Sequence, residues 1–377
     1  MIDTPLFYLI SIATIAAFFG ILERQEKTKN LFTYLPAVVL IYMSAMILSQ
    51  SGLWIKNDLI NGAYATAKNN LLPAMLFLML LQVDLRQFVK LGRPLLIAYT
   101  TAVISLGSAF LAIFWLFGFS ADEAGLFAAL TGSWMGGTAN MLAVGSALNV
   151  SETMMGYALV TDAVDYTFWV ILLLALVRVA PAFNRWTKAL ANSETFSELG
   201  CACSIGPKRY WLLLIISLIV ALLAQMIALQ LDGLSQTTWM VMIATFAGLV
   251  GAYTPLGKMN GSTEIASTML LLLVALIGSR ADFAGFAEVP LYLLAGLLIL
   301  VIHGTVMVVA AKLFRLDLFS IGIASLANIG GVASAPILAA AYNRALIGVA
   351  VLMAIMGYLI GTFGGLLVGY TLQWIAA

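Results

Sequence analysis

The stretch Gly132-Ser-Trp-Met-Gly136-Gly137-Thr138-Ala-Asn140 lies inside an otherwise apolar run, Glu123–Asn149. Two consecutive glycines allow backbone conformations that other residues resist, so the run is expected to break at that pair. A second stretch, Ala327-Asn328-Ile-Gly330-Gly331-Val-Ala-Ser334-Ala-Pro336, interrupts the apolar run Ser320–Ala341 in the same way. The two glycine pairs are 194 residues apart. A second landmark agrees: Asp84-Leu-Arg86-Gln-Phe88 and Arg280-Ala-Asp282-Phe283 each follow an apolar run, with their phenylalanines 195 residues apart. Two landmarks at almost one offset predict an internal duplication. Duplicated halves are common in transporters, and a Gly-interrupted segment in each half points to the binding site.

Composition sets the class around these motifs. Of 377 residues, 63% are hydrophobic and 9% charged, and mean hydropathy is +1.04. Soluble domains hold roughly 45–50% apolar and about 25% charged residues. A water-soluble fold cannot hide this much apolar surface, which excludes soluble enzymes, nucleic-acid binders and secreted disulfide scaffolds. The chain reads as an all-α polytopic membrane protein with twelve apolar segments between Leu6 and Trp374. A polar stretch, 180–208, separates a first repeat, 1–179, from a second, 209–377. Cys201 and Cys203 lie in that stretch, too close together for a structural disulfide and without a ligand cluster for zinc. The N-terminus carries no basic region or small-residue cleavage site, so no cleaved leader is expected.

Basic residues discriminate between topologies. If all twelve segments cross, Lys and Arg divide ten against eight between the two sides. If the two Gly-Gly segments enter and return as re-entrant hairpins, the division is fifteen against three, and the halves become inverted repeats. Non-helical backbone at membrane depth is tolerated where protein or a wet cavity surrounds it. The preferred reading is therefore about ten spanning helices plus two hairpins, in a bacterial inner membrane, with the central stretch cytoplasmic and both termini outside. The alternative is twelve segments in which the two broken helices cross.

Of the 35 charged side chains, Asp162 and Asp165 alone fall about halfway through an apolar segment, Thr153–Val179. A carboxylate at such depth costs several kcal/mol unless paired, solvated or protonated. Spaced i and i+3, the two share a helical face. No segment holds a Lys or Arg at that depth, which leaves a bound cation or a proton. Thr138, Asn140, Asn328 and Ser334 supply neutral oxygens for such an ion, and oxygen ligation suits a hard cation such as Na⁺. Ser133, Gly136, Gly137, Ser325, Gly330 and Gly331 are the candidate substrate contacts, because broken helix ends offer N–H donors to anions and carbonyls to cations. His303, the one histidine, lies deep in Val289–Ala311 and is a candidate proton carrier. No phosphate loop, nucleophile elbow or zinc-helix motif occurs. The chain thus reads as a non-enzyme with no cofactor and no metal beyond Na⁺.

Asp84-Leu-Arg86 and the two glycine motifs, in this order, resemble the YjcL-like bacterial membrane proteins (domain of unknown function 819) across essentially the whole chain. The layout is also similar to the sodium–glutamate and sodium–citrate symporters. That more distant likeness implies that Gly136, Gly137, Gly330 and Gly331 lie at the substrate site. A further likeness is to the sodium–proton antiporter and bile-acid symporter folds. There a broken helix precedes an acid-bearing span, the place Asp162 and Asp165 occupy here. The function expected is a secondary active transporter, coupled to Na⁺ or H⁺, for a small organic anion or amino acid. The alternatives are a cation/proton antiporter and a non-transporting scaffold or sensor. The partners expected are the bilayer and a small-molecule substrate, without nucleic acid; a homodimer is compatible with the sequence.

Overall fold

Short polar residues fix where several helices begin. Asn57 accepts a hydrogen bond from the Ile60 amide at 2.8 Å, and Asp317 from the Ser320 amide at 2.6 Å. Ser120 and Glu123 form a capping box in which the Ser120 amide donates to Glu123 Oε2 at 2.6 Å. Each satisfies amides that the first turn of a helix leaves without a partner.

The computed structural model of the chain describes residues 1–25, 32, 37–55, 57–83, 91–189, 206–281, 286–342 and 346–377. In order, its helices are α1 (Pro5–Glu23), α2 (Ala37–Gln50), α3 (Asp58–Leu80), α4 (Arg93–Phe117), α5 (Ala121–Gly136), α6 (Thr138–Ala147), α7 (Glu152–Leu176) and α8 (Ala180–Thr187). They continue with α9 (Pro207–Ala228), α10 (Gln236–Ala252), α11 (Ser262–Gly278), α12 (Val289–Phe314), α13 (Leu318–Ile329), α14 (Gly331–Tyr342) and α15 (Ile347–Ala376). Among the described residues there is no β-strand, only an isolated bridge between Ile2 and Trp54. Six helical stretches among them are long and apolar enough to cross a bilayer: α1, α4, α7 continued through α8, α9, α12 and α15. This is a multi-pass, all-helical membrane protein. The landmarks 84–88 and 282–283, Cys201, Cys203 and the basic residues Lys27, Lys29, Lys56, Lys90 and Arg344 lie outside the described residues.

The described part of each expected apolar segment is largely helical, with two main differences in extent: the run Thr153–Val179 continues through α8 into the stretch expected to be a polar linker, and α3 is longer than expected. The run Leu71–Val83 is the second half of a longer helix, α3, which starts at Asp58. Its polar first half is helical because its side chains find partners. Lys68 pairs with Glu152 at 3.0 Å, Arg280 donates to Asn61 at 2.5 Å, and Gln225 donates to Asn70 at 3.1 Å.

The chain forms two compact units, and each takes elements from both sides of the polar stretch 180–208. The first comprises 1–82, 145–163 and 204–289. There α9, α10 and α11 all pack on α3, whose residues Leu72–Leu80 are buried on every face. A helix apolar all round in this way occupies a core. Gly248 of α10 makes the approach close: a Cβ there would lie 2.9 Å from the Phe77 carbonyl oxygen.

The second unit comprises 83–144, 164–203 and 290–377. It holds both Gly-Gly segments, and α15 packs along α5 through glycines. A Cβ on Gly365 would lie 2.9 Å from Gly132 Cα, and one on Gly361 would lie 2.7 Å from Gly136 Cα. Small residues let helix backbones approach this closely within a membrane bundle. Both Gly-Gly segments fold back on themselves. Gly132 and Val144 would be about 18 Å apart along a continuous helix. Yet a Cβ on Gly132 would sit 3.0 Å from Val144 Cγ2. Gly322 and Leu338 would be about 24 Å apart along one helix, and the corresponding separation is 3.6 Å. So α6 lies back along α5, and α14 along α13. Gly137 (φ +91°) and Gly331 (φ +61°) take the left-handed conformations at the two reversals.

Candidate functional site

In the second unit the two reversals converge on one residue of α15. The Met135 and Ala327 carbonyl oxygens lie 3.1 and 3.7 Å from the point where a Cβ on Gly357 would sit. Both carbonyls belong to the last turn of their helices, α5 and α13, where carbonyls lack helical partners and carry the negative end of the helix dipole. A residue other than glycine at 357 would fill that space.

The first reversal is closed by its own side chains. Asn140 is 1% exposed. Its Nδ2 donates to the Gly136 carbonyl at 2.8 Å and reaches the Gly357 carbonyl at 3.3 Å, while its Oδ1 accepts from the Thr362 hydroxyl at 2.6 Å. Every hydrogen-bonding atom of the amide is therefore occupied by protein. Thr138, first in α6, is half-buried. Ser133, one turn before the break, is buried, and its Oγ has no hydrogen-bond partner among the described residues.

The second reversal is open by comparison. Asn328 is fully buried and its Nδ2 donates to the Ala324 carbonyl at 2.8 Å, but its Oδ1 has no partner among the described residues. Ser334 Oγ, also buried, has none either. It abuts Gly330, where an added Cβ would overlap it and would lie 2.6 Å from Tyr166 Cε2. Tyr166 thus brings the second part of α7 against the α13–α14 reversal. A buried oxygen without a donor costs about 1–3 kcal/mol, so Asn328 Oδ1, Ser334 Oγ and Ser133 Oγ are three such costs within one unit. Among the described residues no three His, Cys, Asp or Glu side chains come together to hold a metal. What is available is neutral oxygen and helix-end carbonyl, the donor set of a hard cation.

Both acids lie on α7, three residues apart; Asp165 is fully buried and Asp162 half-buried, and neither is without a partner. The boundary between the units falls between Ala163 and Val164, so Asp165 belongs to the unit with the reversals and Asp162 to the other. Ser325 and His303 form a separate, interior arrangement in the second unit. His303 Nε2 lies 2.8 Å from Ser325 Oγ, and Trp169 Nε1 donates to the same oxygen at 2.9 Å. Sequence reasoning does not single out Gly357, Gly361, Thr362, Tyr166 or Trp169. The spacing Gly357, Gly361, Gly364, Gly365 is the signal for the first two, since small residues one helical turn apart mark a close-packing face.

Fold and site together define a multi-pass helical membrane protein with buried polar side chains at two broken helical segments. The chain belongs to the DUF819 family (protein of unknown function), whose model matches residues 10–375. It is also similar to a protein of Bacillus subtilis (strain 168) described as the uncharacterized membrane protein YjcL, with 34% identity over 114 residues. That match covers 30% of this chain and 29% of the relative.

Proposed function

We propose that the protein is a secondary active transporter that couples Na⁺ or H⁺ to the movement of a small organic anion or amino acid across a bacterial inner membrane. The observation that carries this reading is the α13–α14 reversal. Two buried oxygens there, Asn328 Oδ1 and Ser334 Oγ, lack donors among the described residues, while last-turn carbonyls of α5 and α13 converge near Gly357. A cation seated among such oxygens would remove their desolvation cost. In the proposed site Asn328 and Ser334 hold the ion with Asp165, the acid of α7 that belongs to the same unit. At the first reversal Asn140, its amide already satisfied by protein, holds the break closed, and Thr138 is the neutral oxygen left to a ligand there. The substrate carboxylate meets the glycine-motif amides at Gly136–Gly137 and Gly330–Gly331, with Ser133 and Ser325 nearby in sequence.

The same reading takes both broken segments as re-entrant hairpins in an inverted repeat. The return of α6 along α5 and of α14 along α13 supports it, as does the order of elements. Three helices, one helix, a reversed pair and a long helix occur on each side of the stretch 180–208. In this topology a cysteine placed at Ser151 reacts with an impermeant reagent from outside, and one at Lys188 reacts after permeabilisation; the opposite pattern overturns it. The functional test is uptake by proteoliposomes of a carboxylate and amino-acid panel under Na⁺ and H⁺ gradients. Accumulation under one gradient, lost in Asp165→Asn, is expected. No accumulation under either gradient overturns symport, and cation-driven proton movement without organic solute would replace it with antiport.

A further inference from the structure

A single chain of hydrogen bonds crosses the interior of the second unit through His303, and its donors fix the protonation of the ring. Indole Nε1 of Trp169 carries a hydrogen and can only donate; it does so to Ser325 Oγ at 2.9 Å. Ser325 has one hydroxyl hydrogen, and among the described residues the acceptor in reach is His303 Nε2, at 2.8 Å. On the other side of the ring, Nδ1 lies 2.6 Å from Ser105 Oγ, and the Ser105 hydroxyl donates to the Ala102 carbonyl at 2.9 Å. His303, Ser105 and Ser325 are at most 2% exposed, so water does not complete these bonds. Trp169 also packs on the α12 backbone beside the histidine: its Cη2 would lie 2.9 Å from a Cβ on Gly304.

One arrangement satisfies every donor. Trp169 donates to Ser325, Ser325 donates to Nε2, Nδ1–H donates to Ser105, and Ser105 donates to Ala102. With the hydrogen on Nε2 instead, Ser325 Oγ would accept from both Trp169 and His303, and its own hydrogen would be stranded in an apolar interior. Ser105 would also have to abandon Ala102 to reach Nδ1. A doubly protonated ring strands the Ser325 hydrogen in the same way and adds a buried charge without a counter-charge in the chain of bonds.

We propose that His303 is locked as the neutral Nδ1–H tautomer and is a positioning residue. It orients Ser325 and thereby ties α13, just before the Gly330–Gly331 reversal, to α4, α12 and the second part of α7. It is not a carrier of the coupling proton. The inference stands on these four hydrogen bonds and holds whichever ion or solute is transported. Its functional content is that α13 moves together with α4, α12 and the Trp169 part of α7.

The chain has one histidine, so ring-¹⁵N-histidine labelling of the full protein in nanodiscs, purified through a histidine-free tag, reports His303 alone. The expected spectrum at neutral pH has Nδ1 protonated and Nε2 unprotonated. The reverse assignment, or two protonated nitrogens, overturns the proposal. In Ser325→Ala the donor to Nε2 is gone; its resonance is expected to move toward that of an unbonded nitrogen, and an Nε2–H population to appear. A Ser325→Ala spectrum identical to the native one also overturns it. Trp169→Phe frees one lone pair of Ser325 but leaves its hydrogen directed at Nε2, so the tautomer is expected to persist; its loss there counts against the assignment.

Discussion

The two Gly-Gly reversals look alike in sequence and are built differently. At the first, Ser133 Oγ has no partner among the described residues, but Asn140 spends its whole amide on Gly136, Gly357 and Thr362, and α15 packs against Gly132 and Gly136 with almost no space between backbones. At the second, Asn328 Oδ1 and Ser334 Oγ are buried without donors among the described residues, and Gly330 is crowded by side chains, Ser334 and Tyr166, rather than by a neighbouring backbone. The first is a packing joint cemented by hydrogen bonds. The second keeps more polar capacity in reserve at a cost to stability, and the proposed ion site would use it. A repeated motif therefore says where the backbone breaks, and the neighbours of each copy decide what the break is for.

The largest expected effect separates the two breaks by packing. A Cβ added in Gly136→Ala would overlap both Asn140 Nδ2 and the Gly357 carbonyl oxygen. Backbone cannot yield as a side chain tip can, so a loss of about 3 kcal/mol or more is expected, seen as loss of monodisperse protein in detergent. At the matching position of the second reversal, Gly330→Ala meets side chains alone, Ser334 Oγ and the Tyr166 ring edge, which can shift, at about 1–2 kcal/mol. If Gly330→Ala proves the more damaging, the first reversal is not the tighter joint.

Next comes the response to cation. If the second reversal binds Na⁺, a hundredfold excess over Kd raises apparent stability by about 2.7 kcal/mol, read as a rise in melting temperature over the same concentration of choline. Asp165→Asn and Ser334→Ala are expected to lose this rise, and Thr362→Val, at the first reversal, to keep it. A response abolished by Thr362→Val but not by Ser334→Ala would exchange the roles of the two breaks.

Much of this comparison is legible in the sequence, and the rest depends on contacts that sequence does not display. The glycine pairs locate both breaks because left-handed backbone needs glycine almost regardless of surroundings. The depth of Asp165 follows from the apolar run around it. By contrast, Asn140 and Ser334 hold matching positions in the two motifs, and only one of them is satisfied. The difference lies in Thr362, more than 200 residues from Asn140 and unremarkable in an apolar helix. The same holds for His303. Its depth is evident from the run Val289–Ala311, but the donors that set its tautomer come from α4, α7 and α13. The helical first half of α3 escapes hydropathy reading because Lys68, Asn61 and Asn70 are stabilised by partners from α7, α9 and the end of α11 rather than by burial of apolar surface.

Thr362→Val is expected to have a moderate effect. It keeps the shape of the side chain while removing the donor that Asn140 Oδ1 accepts at 2.6 Å. The buried oxygen is left without a partner, at a cost of about 1–3 kcal/mol, which a denaturation midpoint measured without Na⁺ would detect. An unchanged midpoint would mean that the first reversal tolerates a further open oxygen beside Ser133 Oγ, as the second tolerates two, and the contrast between them would disappear.

The smallest expected change is the most discriminating. Asn328→Leu replaces the amide by an apolar group of similar size at a fully buried position. The native side chain gains one hydrogen bond, Nδ2 to the Ala324 carbonyl, and carries one unsatisfied oxygen. A net hydrogen bond contributes about 0.5–1.5 kcal/mol, and an unsatisfied buried acceptor costs about 1–3 kcal/mol. The two nearly cancel or favour the variant, so without Na⁺ the stability of Asn328→Leu should equal or slightly exceed that of the native protein. With Na⁺ the native protein should overtake it, because the oxygen that was a cost becomes a ligand. The sign of the stability difference between native and Asn328→Leu should therefore reverse on adding Na⁺. A variant less stable by 2 kcal/mol or more in Na⁺-free buffer would show that Oδ1 already has a stabilising role within the fold, and the second reversal would then be a joint like the first.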